Sequence, residues 1–461
     1  MKTLKKYSIL VLLPALLLAF TACDSLLENE LPDEVLRAED ALKTKQDLSN
    51  LVNSIYDVVA NFSNGNGQRF SELLADNIRV DAASGFLVQV YNRASDFFNS
   101  DVGGFYGQPY IAIYRSNLVL ERMDGISGLS NEDKARFEGE AKFIRALAHF
   151  ELVRYFAQPY GFTADNSHLG IVIKTTTNPD PQPRNTVAEV YAQIISDLRD
   201  AETLLPQANG NYANAFSAKA YLAKVYFQMN SYANAANYAE QVINSGRFAF
   251  SSNLNNRYQT SFSTETVFGI ISTGLEDNRG GGFIGLYRSD TGNPPFMRAS
   301  ASLVSLLQEN QSDLRNGWIQ RFNVGQPNEY TAFTKYNRDW MSVTLASTTE
   351  MMLIAAESLG QLNQNVPRAI QYLNQIKARA GISAIPAGSS GSLVVSEARK
   401  EARLEFMGDG HRVHQLKRIG AKGENVLIRN APWNCPGMIL QFPASELAVR
   451  GFVMNQEGGC N

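Results

Sequence analysis

"EAKFIRALAHFELVRYFAQPYG" (Glu140–Gly161) decides the fold class of this chain. Ala141, Ile144, Ala148, Leu152 and Tyr155 recur at spacings of three and four, which places them on one side of an α-helix. The helix is predicted over Glu138–Phe156, and Pro159-Tyr160-Gly161 stops it.

Outward from this helix the same periodicity dominates. Towards the amino terminus, Pro109–Met123 reads as a helix, and so does a stretch capped by Asp40 that runs through Leu42, Leu48, Leu51, Val52 and Ile55. Towards the carboxyl terminus, Gly170–Lys174 reads as a short strand. Thr186 then caps a helix with the stripe Val190, Ile194, Leu198, Ala201 and Leu205.

Phe216–Phe250 reads as two helices joined by a tight turn at Gln228-Met229-Asn230, with small residues at the spacing of a tetratricopeptide unit. A second copy runs from Glu350 to Ala380. Ala369, Leu373 and Ile376 match Ala235, Ala239 and Val242 at a constant offset of 134. Such units cannot bury their faces alone, so neighbouring helices must stack on them.

Between these helical parts the texture changes. Thr266–Ile271 is a predicted strand, and Gly274–Asn337 is rich in Gly, Asn, Pro, Arg and aromatic residues. Long irregular segments in compact proteins are usually functional, so ligand contacts are expected here. Tyr287 and Trp318 are the expected stacking platform, with Asp76, Arg79 and Tyr106 from the early loops facing them. Aromatic faces give a ligand flat apolar contact, and planar rings lose little conformational freedom on binding.

The amino terminus carries an address. Lys2, Lys5 and Lys6 precede an apolar run, Tyr7–Phe20, that ends at Thr21-Ala22-Cys23. This is the plan of an export signal, and the run is shorter than the ~20 residues a membrane-spanning helix needs. A small residue directly before cysteine is the cleavage site of a bacterial lipoprotein. Cys23 is therefore the expected acylation site, with residues 1–22 removed and 23–38 serving as an acidic tether. Two or more acyl chains anchor a protein stably to a bilayer.

Composition excludes some partners. Removing residues 1–22 takes away three lysines and no acid, so the formal charge falls from −3 to −6. Nucleic-acid binding, which needs a basic face, is not expected. Cys435 and Cys460 are the cysteines left besides Cys23. In an oxidising compartment they close one disulfide or remain two thiols, and sequence does not choose.

Signals of catalysis are absent. Gly280, Gly282 and Gly285 satisfy G-x-G-x-x-G but lack the strand-loop-helix context of a dinucleotide site, so they read as a flexible loop. His411 and His414 read as structural residues within a charge-dense run rather than as metal ligands. No nucleophile elbow, phosphate loop or C-x-x-C occurs, and neither an enzyme nor a cofactor is expected.

These motifs, taken in order, resemble the SusD/RagB family of surface lipoproteins from Bacteroidetes. "YIAIYRSNLVLERM" (Tyr110–Met123) and the opening stretch with its Arg145-Ala146 pair are similar to the family's early helices. "ISDLRDAETLLP", "ETVFGI" and "AAESLGQLNQNVPRAIQYLNQIKARAG" follow in family order. "EARKEARLEFMGDGHRVHQLKR" (Glu397–Arg418) resembles the late signature, with Asp409 and Gln415 in place of the family's Glu and Asp. "FPASELAVRGFVMNQEGGC" is like the closing segment, with Gln456-Glu457 and Cys460 departing from it.

The resemblance implies a mainly α-helical fold with four tetratricopeptide-like helix pairs and a loop-rich, few-stranded remainder. The expected parts are residues 39–250, helical, and 251–461, which hold the irregular segment and the last helix pair. It also implies a non-enzymatic lid over a SusC-like, TonB-dependent transporter of the outer membrane, binding an oligosaccharide. The alternatives left open are a peptide-binding lid and a tetratricopeptide scaffold that binds only protein.

Overall fold

The computed structural model describes residues 42–460. The export signal, Cys23, the tether and Asp40 lie outside the described residues.

Helix α1 (Lys45–Ser63) begins at Thr44, whose side chain and backbone exchange hydrogen bonds with Asp47. This reciprocal capping box satisfies two of the amide groups a helix start leaves unpaired. After a break at Gly65 come α2 (Asn66–Leu74), β1 (Ile78–Arg79) and α3 (Phe86–Tyr91). Helix α4 (Ser100–Arg122), capped by Asn99, starts well before the expected Pro109, which lies inside it. Proline in a helix interior removes one backbone hydrogen bond but does not end this helix.

Helix α5 (Asn131–Phe156) contains the opening stretch. The predicted stripe is buried, but so is most of the circumference, including Phe137, Phe143 and Phe150. A helix buried all round is a central one, and α5 packs against α1, α4 and α6 (Val187–Leu204). The expected strand at Gly170–Lys174 is absent. The segment is extended but finds only an isolated bridge, Leu169 to Thr186, with no neighbouring strand to complete a ladder.

Helices α7 (Ala215–Gln228) and α8 (Tyr232–Ile243) flank the predicted turn, where Asn230 adopts a left-handed φ of 57°. Then follow β2 (Thr266–Ile270), α9 (Gly281–Tyr287), β3 (Arg298–Ala299) and α10 (Ala301–Gln308). Next come β4 (Ile319–Phe322), β5 (Tyr330–Phe333) and β6 (Val343–Ser347). Strand β2 pairs antiparallel with β6, so the glycines near 280 stand in no βαβ unit. They serve close packing instead: a Cβ at Gly282 would lie 2.7 Å from the Asn64 carbonyl oxygen. Gly281 to Gly285 are helical rather than a flexible loop.

The last helices are α11 (Thr348–Leu362), α12 (Val366–Arg379), α13 (Gly391–Glu405) and α14 (Arg412–Ala421). Helix α8 packs on α11, so the two similar helix pairs join directly. Ala235, Ala239, Val242 and their counterparts Ala369, Leu373 and Ile376 are all fully buried. Small residues at these points let the helices approach closely.

Buried charges tie the loop-rich part to these helices. Glu405 accepts hydrogen bonds from Arg379 at 2.8 Å, Arg257 at 3.0 Å and Arg315 at 3.2 Å. Burial alone would raise its pKa, but the three guanidinium groups hold it down, at about 2. At the carboxyl terminus Cys435 and Cys460 form a disulfide with Cα atoms 5.2 Å apart. The Asn455 side chain pins the intervening tail to the Phe156 and Leu440 carbonyls.

Candidate functional site

The expected platform lies inside the protein. Tyr287 is 1% exposed, stacked on Tyr336 at 4.8 Å with its edge to Phe333. Trp318 is 3% exposed, meets Tyr258 edge-on and donates its indole N–H to Asn255 at 2.7 Å. Tyr106 is 7% exposed among Tyr110, Phe156 and Phe442. No face of these three rings is presented to a ligand, which corrects the expectation drawn from the sequence. The physical reason is that a segment of short elements must bury apolar area somewhere, and here its aromatic rings form that core.

Asp76 is likewise committed. It accepts from Arg412 Nε at 2.7 Å and Nη2 at 3.0 Å, with Arg403 at 3.4 Å. Burial opposes ionisation, but the Arg412 bonds and the two positive charges hold its carboxyl below the usual range. Arg79 alone of the five is exposed.

Around Arg79 the chain builds a surface ladder. Strand β1 pairs antiparallel with β3, so Arg79 stands opposite Arg298, and Asp81 bonds both guanidinium groups. Arg298 also lies over the Tyr330 ring at 4.8 Å, and Tyr330 stacks on half-buried Phe322 at 5.1 Å. Residues 81–85 form an exposed loop beside this ladder. The loop ends at Phe86, whose carbonyl accepts from the Asn99 side chain at 2.9 Å.

Asn99 caps α4, and the first turns of α4 wall a groove of about 360 Å³. Its other wall is the turn between α1 and α2, "NFSNGNGQR" (Asn61–Arg69). Gly65 makes that turn possible with a φ of +112°, a conformation side chains disfavour, and a Cβ there would lie 2.7 Å from the Gly282 carbonyl carbon. Asn64 and Asn66 are oriented by the backbone: Asn66 N–H donates to Asn64 Oδ1 at 3.1 Å, and Asn66 Nδ2 donates to the Asn61 carbonyl at 3.0 Å.

The groove is polar without being charged. Asn61, Asn64, Asn66 and Gln108 present side-chain amides, while its single acid and single base, Asp101 and Arg69, pair at 3.3 Å. Buried Phe62 and Phe105 lie beneath. Gly104 faces the opening, and a Cβ there would meet nothing within 4 Å. Glycine in a helix interior costs about 0.5–1 kcal/mol relative to alanine. No neighbour in the chain demands it.

Such a surface offers hydrogen-bond donors and acceptors without a net charge, the set that a neutral, polyhydroxylated ligand requires. No cluster of potential metal ligands occurs among the described residues. His411 and His414 are packed against rings: His411 stacks on Phe406 at 4.3 Å and His414 meets Tyr155 edge-on at 4.8 Å. The groove escaped the sequence reading because its walls lie some forty residues apart. The Asn/Gly-rich run at 61–67 and the glycines at 103, 104 and 107 are the signals that mark it.

Comparison with known proteins agrees with this architecture. The family described as "Starch-binding associating with outer membrane" matches residues 27–227, and the SusD family matches residues 306–450. SusD-like protein P2 of Formosa agariphila is 27% identical over 90% of this chain and 91% of that protein. A SusD superfamily structure from Bacteroides thetaiotaomicron superposes with a TM-score of 0.80 at 24% identity, covering 90% of this chain and all of that one. A laminarin-binding SusD-like protein gives a TM-score of 0.70 at 20% identity, covering 90% and 99%. The helical fold, the order of the motifs and these matches make the chain a member of the SusD family of non-catalytic binding proteins.

Proposed function

We propose that this protein captures oligosaccharides in the amide-lined groove and passes them to a SusC-like, TonB-dependent transporter. In this reading acyl chains on Cys23 hold it at the outer-membrane surface. The observation that carries the proposal is the groove's chemistry: four side-chain amides and a self-neutralised Arg69–Asp101 pair above Phe62 and Phe105. A sugar exchanges its bonds to water for amide bonds there without stranding a charge. The starch-binding description of the matched family and the laminarin-binding relative support the ligand class.

Calorimetric titration with α- and β-glucans tests it. Gln108→Ala removes an amide at the rim and is expected to weaken binding about tenfold, the equivalent of ~1.4 kcal/mol. Unchanged affinity would displace the site, and peptides copurifying with the native protein would change the ligand class. Copurification with a β-barrel transporter from outer membranes, and mass analysis of the mature terminus, test the partner and the anchor.

A further inference from the structure

A two-lobed void lies where α5, α7, α11, α13 and α14 meet, on the inner side of the Asn61–Arg69 turn, so that Phe62 lines both the void and the groove. One lobe, about 80 Å³, is polar and includes Glu151, Tyr155 and Tyr221 in its lining. The other, about 90 Å³, is mainly apolar, with Phe150, Phe227, Leu353 and Ile354. Arg154, Lys224, Glu350 and His411 line both lobes and form the boundary.

The charges at this boundary come in two neutral pairs. Arg154 pairs with Glu151, and Lys224 with Glu350 at 3.1 Å. Neither pair is saturated. Among the described residues Arg154 Nε has no partner, and the Lys224 ammonium, with three donors, bonds only Glu350 and the Leu345 carbonyl.

Three more polar side chains line the void. Tyr155 and Tyr221 line it with both rings almost wholly buried. His414, 4% exposed, leaves Nε2 without a partner. Desolvation pushes the His411 pKa down to about 4 although a third of its side chain is exposed, so Glu151, Arg154, Lys224, Glu350 and His411 together carry no net charge at neutral pH. Unpaired buried polar groups are rare because each loses its bonds to water, so Arg154 Nε and His414 Nε2 beside one void point to a ligand.

We infer that this void binds a free α-amino acid with an apolar side chain. A simple anion or cation would leave one charge uncompensated in the interior, whereas a zwitterion would not. Its carboxylate fits the donors of Arg154, Lys224 and the tyrosine hydroxyls, its ammonium fits Glu151 and Glu350, and its side chain fits the lobe lined by Phe150, Phe227, Leu353 and Ile354. Lobe size favours leucine, valine or methionine over tryptophan. The inference goes beyond the glycan reading, and none of the residues assigned to the zwitterion lines the groove.

Calorimetry of the mature chain with L-leucine tests it, with isoamylamine and isocaproate as analogues that each lack one charge. L-leucine is expected to bind at one site and raise the melting temperature, and each analogue to bind at least about tenfold more weakly. Tyr221→Phe keeps the ring and removes only the hydroxyl, so it should melt within a few degrees of the parent yet bind about fivefold more weakly. Ile354→Phe should fill the apolar lobe and abolish binding. Failure of leucine, valine and methionine all to bind the folded protein would overturn the inference, as would isocaproate binding as well as leucine. Glycan titration of the same preparation reads the groove separately.

Discussion

Arg79 and Arg298 stand directly opposite one another across the β1–β3 ladder, and both are held by Asp81. Like charges facing each other on neighbouring strands repel unless a counter-charge lies between them. Asp81→Asn should therefore destabilise the ladder, by no more than about 1 kcal/mol because the groups meet solvent. The loss should shrink as salt is added. Melting temperatures at low and high ionic strength check both the sign and the screening.

Arg145 and Asp197 form the main buried pair between α5 and α6. Arg145 donates through Nε at 2.8 Å and Nη2 at 2.6 Å, and its Nη1 donates to Asn117 at 2.8 Å. Removing one partner strands the other charge, so Arg145→Met should cost roughly 3–5 kcal/mol by denaturant unfolding. The double variant with Asp197→Leu should recover a large part of that loss. A double variant no better than the single one would mean the pair's geometry, not the stranded charge, dominates.

Glu72 gives the protein a pH-dependent stability near neutrality. Burial raises its pKa to about 7, against the opposing hydrogen bond from the Gly410 N–H, and its second oxygen has no partner. The folded state holds this proton more tightly than the unfolded one. Its contribution is therefore present at pH 4–5 and lost as pH rises through 7, a swing of order 3 kcal/mol. Glu72→Gln should flatten that part of the profile and unfold at higher denaturant concentration than the parent at pH 8.

Gly104 separates stability from binding at the groove. A Cβ there meets nothing, so Gly104→Ala should stabilise the protein by about 0.5–1 kcal/mol. Gly104→Trp should remain folded but occupy the groove and abolish glycan binding. Retained binding by the tryptophan variant would place the sugar elsewhere.

The Cys435–Cys460 bridge closes a loop of sequence separation 25. Replacing both cysteines by serine should lower stability by about 3 kcal/mol, the amount expected for a loop of this length. Thermal melts with and without reductant should show the same loss in the parent and none in the variant.

What the sequence by itself determined is local or pairwise in character. The helices around Ala141–Tyr155 and Val190–Leu205, the turn at Asn230 and the strand at Thr266 follow from periodicity, caps and turn residues, which act within a few positions. The offset repeat at Ala235 and Ala369 also reads directly, because close helix approach demands small residues. Only the tertiary structure decided which aromatics are core and which line a surface. Tyr287, Trp318 and Tyr106 could as well have been exposed on composition alone, and their burial depends on Tyr336, Tyr258 and Phe442, partners from about fifty to more than 300 residues away. The groove is set in the same way. Its walls at Asn61–Arg69 and Ser100–Gln108 become one site because α1, α2 and α4 pack together, and no local propensity encodes that meeting.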